Sequence, residues 1–124
     1  MLSVVITPAG GPEDLAFLFA RLVPAAVDGL VREVIYAGAA DATVEEICEA
    51  TGARIAEGLG AALAQAKGPW VLVAPATFRP PEDWQDRAAA HLAHRTGALR
   101  IKGVRTGGWF ARNPSAELRP LARR

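Results

Sequence analysis

The chain has 124 residues, enough for one domain with a real core and little more. Hydrophobic residues make up 51% of it and charged residues 22%, a balance that excludes a disordered chain. Net charge is +1, yet residues 1–94 carry 6 basic and 12 acidic side chains, while residues 95–124 carry 8 basic side chains and Glu117 as their one acid. No apolar run reaches the ~20 residues that span a bilayer. The opening Met1-Leu2-Ser3-Val4-Val5-Ile6 lacks a basic leader and soon meets Pro8, so a cytoplasmic setting is expected. The lone cysteine, Cys48, has no partner for an intrachain disulfide and reads as a small packed apolar residue.

Leu2 to Thr7 is a β-branched apolar run that predicts a buried strand, closed by the loop Pro8-Ala9-Gly10-Gly11. Pro12 then suits the first turn of a helix, and Glu13 and Asp14 suit its positive dipole end. Leu15, Leu18, Phe19, Leu22 and Val23 recur at helical spacing, and Pro24 is expected to end or kink the helix. Val31 to Ala37 predicts a second strand, and Thr43-Val44-Glu45-Glu46 a capping box that opens a helix ending near Gly52. A short strand over 53–56, an alanine-rich helix over 58–67 and an uncharged strand over 70–74 follow. After an irregular loop from Pro75 to Pro81, residues 82–95 predict a helix whose apolar face holds Trp84, Ala88 and His91 or Leu92. Residues 98–101 suggest a fifth strand, and Gly103 to Arg112 an edge strand or hairpin. Asn113-Pro114 reads as a cap and a first-turn proline for a last helix to about Leu121.

Strand and helix alternate over short connections, which predicts one α/β domain with a mostly parallel sheet and helices on both faces. Ligands of such sheets sit at the carboxyl ends of the strands. Here those ends are Thr7–Gly11, Ala37–Asp41, Ala56–Gly60 and Ala74–Arg79. Gly58-x-Gly60 lacks the third glycine of a dinucleotide fingerprint, and no phosphate-binding P-loop, nucleophile elbow or Cys/His pair is present. His91 and His94 are three residues apart on one predicted helix, but a zinc site needs more ligands than they offer with Asp86.

Several segments, in order, resemble family 2 glycosyltransferases of the GT-A fold, a Rossmann-like nucleotide-sugar half. Ser3-Val4-Val5-Ile6-Thr7-Pro8 resembles the family's opening S-V-V-I-P-T, with the last two exchanged. Glu33-Val34-Ile35-Tyr36 through Asp41-Ala42-Thr43-Val44-Glu45 resembles E-V-I-V-V-D-G-G-S-T-D-G-T-V-E, two residues shorter. Gly52-Ala53-Arg54-Ile55 is similar to G-A-R-V, Gly58-Leu59-Gly60-Ala61 to G-R-G-A, Ala66 to Trp70 to A-R-G-D-W, and Pro75 to Trp84 to H-A-D-T-R-L-P-P-G-W. The resemblance covers residues 3–84. It implies a nucleotide-diphosphate sugar lying over the strand ends, a divalent metal on acidic residues, and a base supplied later in the chain.

The departures fall on the chemistry. A departing diphosphate needs its charge compensated, usually by a hard cation on carboxylates. The family's H-A-D is here Pro75-Ala76-Thr77, which offers no carboxylate. The family's first loop aspartate falls near Tyr36-Ala37 and is absent, whereas the second is matched by Asp41. The arginine of G-R-G is Leu59. Glu82 and Asp83 could replace the missing acids or simply favour a helix start. Arg79 could hold a phosphate or cover the loop with its stem. Gly107-Gly108-Trp109-Phe110 resembles the segment before the family's base-bearing helix, where Glu117 is the one carboxylate available.

The resemblance therefore implies a transferase-like domain whose catalysis is degenerate and which keeps a nucleotide or interaction role. Its expected contacts are Thr7, Pro8, Gly38, Asp41, Gly60, Thr77 and Arg79, with no catalytic residue assigned. Magnesium or manganese would enter only if transfer is retained. Two alternatives stay open: an active transferase without the metal motif or completed by a partner, and an unrelated α/β protein whose basic segment 95–124 meets an anionic partner. That segment could equally neutralise the acidic body. An exposed edge around Val104 to Phe110 suggests a homodimer or a protein partner.

Overall fold

The computed structural model describes residues 1–94, 97–104 and 114–121. Its elements are β1 (Leu2–Thr7), α1 (Pro12–Val27), β2 (Val31–Ala37), α2 (Ala42–Thr51), β3 (Arg54–Ala56), α3 (Leu59–Gln65), β4 (Trp70–Pro75), α4 (Trp84–His94), β5 (Leu99–Lys102) and β6 (Ser115–Pro120). They form one α/β domain around a six-stranded sheet of order β3-β2-β1-β4-β6-β5. The strands β1 to β4 are mutually parallel, and β6 runs antiparallel to both β4 and β5.

Alternation along the strands divides the core. Leu2, Val4 and Ile6 of β1, with Leu72 of β4, pack under α1 and α4. Val5, Ile35 and Val71 face the other way, onto Ala62 and Ala66 around α3. The central strands β1 and β4 have an apolar helix against each face, which is why their sequences carry no charge.

Of the two outcomes expected at Pro24, an end to the helix is excluded, for α1 runs on to Val27. Pro24 is exposed, so the Ala20 carbonyl that loses its donor lies on the exposed side, while Leu22 and Ala25 stay buried across the helix. Val23, expected on the buried stripe, is 51% exposed. Pro24→Ala should restore that hydrogen bond and stabilise the fold by about 1 kcal/mol, raising the melting temperature by roughly 4 °C in a calorimetric scan. A lowered melting temperature would show that the fixed φ of Pro24 outweighs the missing bond.

A correction comes at the end of the chain, where 115–120 is a strand and not a helix. Ala116 and Leu118 point into the core and Glu117 and Arg119 do not, a period of two that the Asn113-Pro114 signal obscured. The edge strand or hairpin expected over Gly103 to Arg112 lies outside the described residues, apart from Gly103 and Val104, which follow β5.

One polar cluster fastens the amino ends of the central strands. Ser3, fully buried in β1, donates its hydroxyl to Glu33 of β2 at 2.5 Å and accepts the Gly68 N–H at 2.9 Å. Glu33 also accepts from the Lys67 N–H at 2.6 Å and pairs with Arg54 of β3. A Cβ at Gly68 would meet Ser3 Oγ at 2.8 Å and Ser3 N at 2.9 Å, so the turn into β4 needs glycine there.

Candidate functional site

The chain leaves β1 towards β2 and β3, then returns to place β4 on the other side of β1. That reversal opens a crevice beyond the carboxyl ends of β1 and β4, where α/β sheets bind ligands. A cleft of about 460 Å³ lies beside it, beyond the ends of β1 and β2, bounded by the Pro8–Gly11 loop, Tyr36 and the Ala39–Asp41 loop, with Ala76 reaching it from the β4 side. The volume is within the usual range for small-molecule sites.

Its walls follow from the local sequence. Pro8 follows β1, and the Thr7 carbonyl accepts the Ala76 N–H at 2.9 Å, joining the ends of β1 and β4. Gly10 adopts φ of +62°, and a Cβ there would lie 2.3 Å from the Asp14 carboxylate and 2.7 Å from the Thr77 methyl. Gly38, after β2, brings its backbone against the Pro8 ring, since a Cβ would fall 2.3 Å from Pro8 Cγ. On the third side Asp41 caps α2 by accepting the Val44 N–H at 2.9 Å. The helix thus starts two residues before the expected Thr43 box, with Asp41 as a single cap because the third helical residue is Val44.

Pro8 and Asp41 line the cleft, Gly38 supports Pro8, Thr77 packs by Gly10, and Thr7 contributes its carbonyl to the strand-end bond. Arg79 and Gly60 are not in the lining. Arg79 is one ion pair away, and Gly60 lies in the first turn of α3, with open space where its side chain would be.

Two residues that sequence reasoning left out of the site are Asp14 and Tyr36. The Asp14 carboxylate accepts the Gly11 N–H at 3.0 Å and the Arg79 guanidinium at 2.7 Å, so it holds the cleft loop and the loop after β4 together. Its position three residues after Gly11 was the available signal, a capping spacing that dipole arguments absorbed. Tyr36 is 5% exposed on the cleft wall, and burial, then Cys48 and Asp41, push its phenol above the usual value. Burial likewise pushes the Cys48 thiol up, consistent with a packed residue.

On the far side of Arg79 a second depression of about 430 Å³ is lined by Phe17, Arg21, Pro24, Pro81, Trp84 and neighbours. Both guanidiniums rest on the Phe17 ring, Arg79 at 4.2 Å and Arg21 at 4.9 Å from its centroid. This groove lies off the strand ends, and Glu82 is the one acid in its lining. Glu117, the base candidate, shares the register of Val73 and Arg100 in the middle of the sheet and does not line the cleft. His91 bonds the Gly97 carbonyl at 2.7 Å and stacks edge-on to Trp70.

The fit of a divalent cation can be tested on these donors. Asp41 already serves its helix cap, Asp14 serves Gly11 and Arg79, and Thr77 is a neutral hydroxyl. Among the described residues no three of His, Cys, Asp and Glu converge. The donor set present does not fit a carboxylate-bound metal.

No family model matches the chain, and no curated protein matches it. Solved structures do. One is glucosyl-3-phosphoglycerate synthase from Mycobacterium tuberculosis in complex with Mn2+, uridine diphosphate and glucosyl-3-phosphoglycerate. It is 25% identical, with a TM-score of 0.55 over 74% of this chain and 39% of that one. Another, of the same enzyme with Mn2+, uridine diphosphate and phosphoglyceric acid, is 27% identical, with a TM-score of 0.53 over 74% and 38%. The chain thus has a GT-A-type, glycosyltransferase-like fold over most of its residues, and spans about two-fifths of the length of these neighbours.

Proposed function

We propose that the domain binds a nucleotide or nucleotide-diphosphate sugar in the cleft beyond β1 and β2, without the Mn2+ that accompanies uridine diphosphate in its structural neighbours. The observation that carries this reading is the combination at one place: a preformed cleft at the carboxyl ends of the strands, beside the topological switch point, and carboxylates there already committed to backbone and arginine partners. In this reading Pro8, backed by Gly38, and Tyr36 would give an apolar wall for a planar base, Asp41 would meet the ligand at the cleft, and Thr7, Thr77, Gly60 and Arg79, outside the lining, are the further contacts to test for phosphate or sugar groups. The uridine diphosphate in both neighbours supports a uridine nucleotide as the first ligand to try. A cytoplasmic setting, where nucleotide sugars are made, belongs to the same reading.

Calorimetric titration with UDP, UDP-sugars and GDP-sugars, with and without manganese, is the test. Binding with the same affinity in both conditions is the expected result. Binding that needs manganese would replace this reading with that of an active enzyme, and absence of any binding would retire the nucleotide role. Gly38→Val should weaken nucleotide affinity by about tenfold or more, because its side chain would drive Pro8 into the cleft. An unchanged circular dichroism spectrum would confirm that the fold survived.

A second reading is an active transferase without the usual metal motif or completed by a partner, in keeping with the glycosyltransferase-like fold. In the partner-completed case the signature would be manganese-dependent sugar release only when the partner is added. The homodimer expected from the sequence is part of the first reading. Of the edge that suggested it, only Val104 is described, and it is 49% exposed. A single monomeric species at all concentrations in analytical ultracentrifugation would remove it.

A further inference from the structure

The two faces of the sheet carry different charge. On the side of α1, α2 and α4 the helices carry Glu13, Asp14, Glu45, Glu46, Glu49 and Asp86 against the two cations Arg21 and Arg87. On the other side α3, with sequence Leu-Gly-Ala-Ala-Leu-Ala-Gln, has no charged residue at all. Among the described residues α3 is the one helix on this side of the sheet. Ile101, Ala116 and Leu118 are buried on the opposite face. By alternation and register, Arg100 opposite Glu117, Lys102 opposite Ser115, and Arg119 form the outward row. Glu117 lies 3.6 Å from Arg119, which leaves Arg100 and Lys102 as a cationic excess.

At its Arg119 end this basic row meets apolar surface: a shallow depression of about 440 Å³ between α3 and the end of β6 is lined by Leu63, Ala64, Arg119, Pro120 and Leu121, and Leu59, earlier on α3, is 40% exposed. The acids of α2 pack near β3, at the opposite edge of the sheet from β5.

We propose that the face formed by α3, β6 and β5 docks onto an anionic lipid bilayer. Cations in a row, an uncharged helix and small apolar groups match a headgroup layer, with phosphates outside and acyl chains beneath. The acidic helices then face away from the negative surface. A nucleic acid fits less well. Among the described residues this face has no aromatic platform for bases, and its cations lie on a flat strand pair rather than along a groove.

The test is sedimentation of the full chain with vesicles of phosphatidylcholine alone, and of phosphatidylcholine and phosphatidylglycerol in equal parts, at low and high salt. Binding to the anionic vesicles only, and loss at high salt, is expected. The combined variant Arg100→Gln, Lys102→Gln, Arg119→Gln should lower the partition coefficient by roughly a hundredfold. Leu59→Gln should lower it by a few-fold. Glu45→Gln, Glu46→Gln and Glu49→Gln, on the other face, should not lower it. Thermal melts check that every variant folds. The proposal is overturned if anionic vesicles are not bound, if the triple variant binds as well as the parent, or if a short DNA or RNA duplex competes the vesicles away.

Discussion

Glu33→Ala is expected to cost the fold about 3 kcal/mol at neutral pH. The Glu33 side chain is only 13% exposed, and it is the acceptor on which Ser3, the Lys67 N–H and Arg54 converge. Removing it leaves the fully buried Ser3 hydroxyl without its acceptor and the Lys67 N–H unpaired. Because these groups come from β1, β3 and the turn into β4, the loss reaches strands that no single packing contact joins. Urea denaturation measures it as a lowered midpoint at unchanged slope. A loss below about 0.5 kcal/mol, the scale of an ordinary surface substitution, would show that the cluster is incidental.

The same residue predicts a pH dependence. Burial raises the Glu33 carboxyl, but the bonds from Ser3 and Lys67 and the charges of Arg54 and Arg32 more than offset it, and the folded-state value lies below the ordinary 4.5. A depressed value means that the folded state favours the ionised form. The stabilisation is therefore fully present above the unfolded value and disappears as pH falls through the folded one. The gap between the parent and Glu33→Gln should be widest near neutrality and close in acid. A gap that widens on acidification would have the wrong sign for this account.

The legible part of this protein was whatever depends on periodicity. The β-branched runs of β1, β2 and β4 and the 3.6-residue pattern of Leu15, Leu18, Phe19 and Leu22 fix element type, because burial selects those side chains locally. Punctuation read locally was less secure. Pro24 breaks helices in general, yet one lost hydrogen bond on an exposed face is outweighed by packing on both sides of it. Asn113-Pro114 suggested a helix start, but Ala116 and Leu118 gain more from joining β4 and β5 than a short isolated helix could give. At the cleft, Pro8 and Asp41, named from order and spacing, fall in the lining. The role of Asp14 was not readable in this way, because its partner Arg79 is 65 residues away and only the fold brings them together.

Asp14 and Arg79 give the second large expected effect, and it is asymmetric. The pair closes at 2.7 Å with side chains 23% and 18% exposed. Asp14→Ala should cost about 3 kcal/mol, since it strips the partner from a guanidinium held over Phe17 and also leaves the Gly11 N–H without its acceptor. The guanidinium is already short of partners, for its Nη1 is buried with no hydrogen bond among the described residues. Arg79→Met keeps the apolar stem over Phe17 and removes the buried charge, while Asp14 keeps its bond to Gly11 and remains partly in water. That change should cost about 1 kcal/mol or less. Parallel urea titrations of the two variants and their double mutant measure the difference. Equal losses would mean that the ion pair itself, rather than the penalty of stranding Arg79, holds the loop after β4 against the mouth of the cleft. If that loop is instead the anchor of a bound nucleotide, Arg79→Met should weaken UDP binding well beyond its small effect on stability.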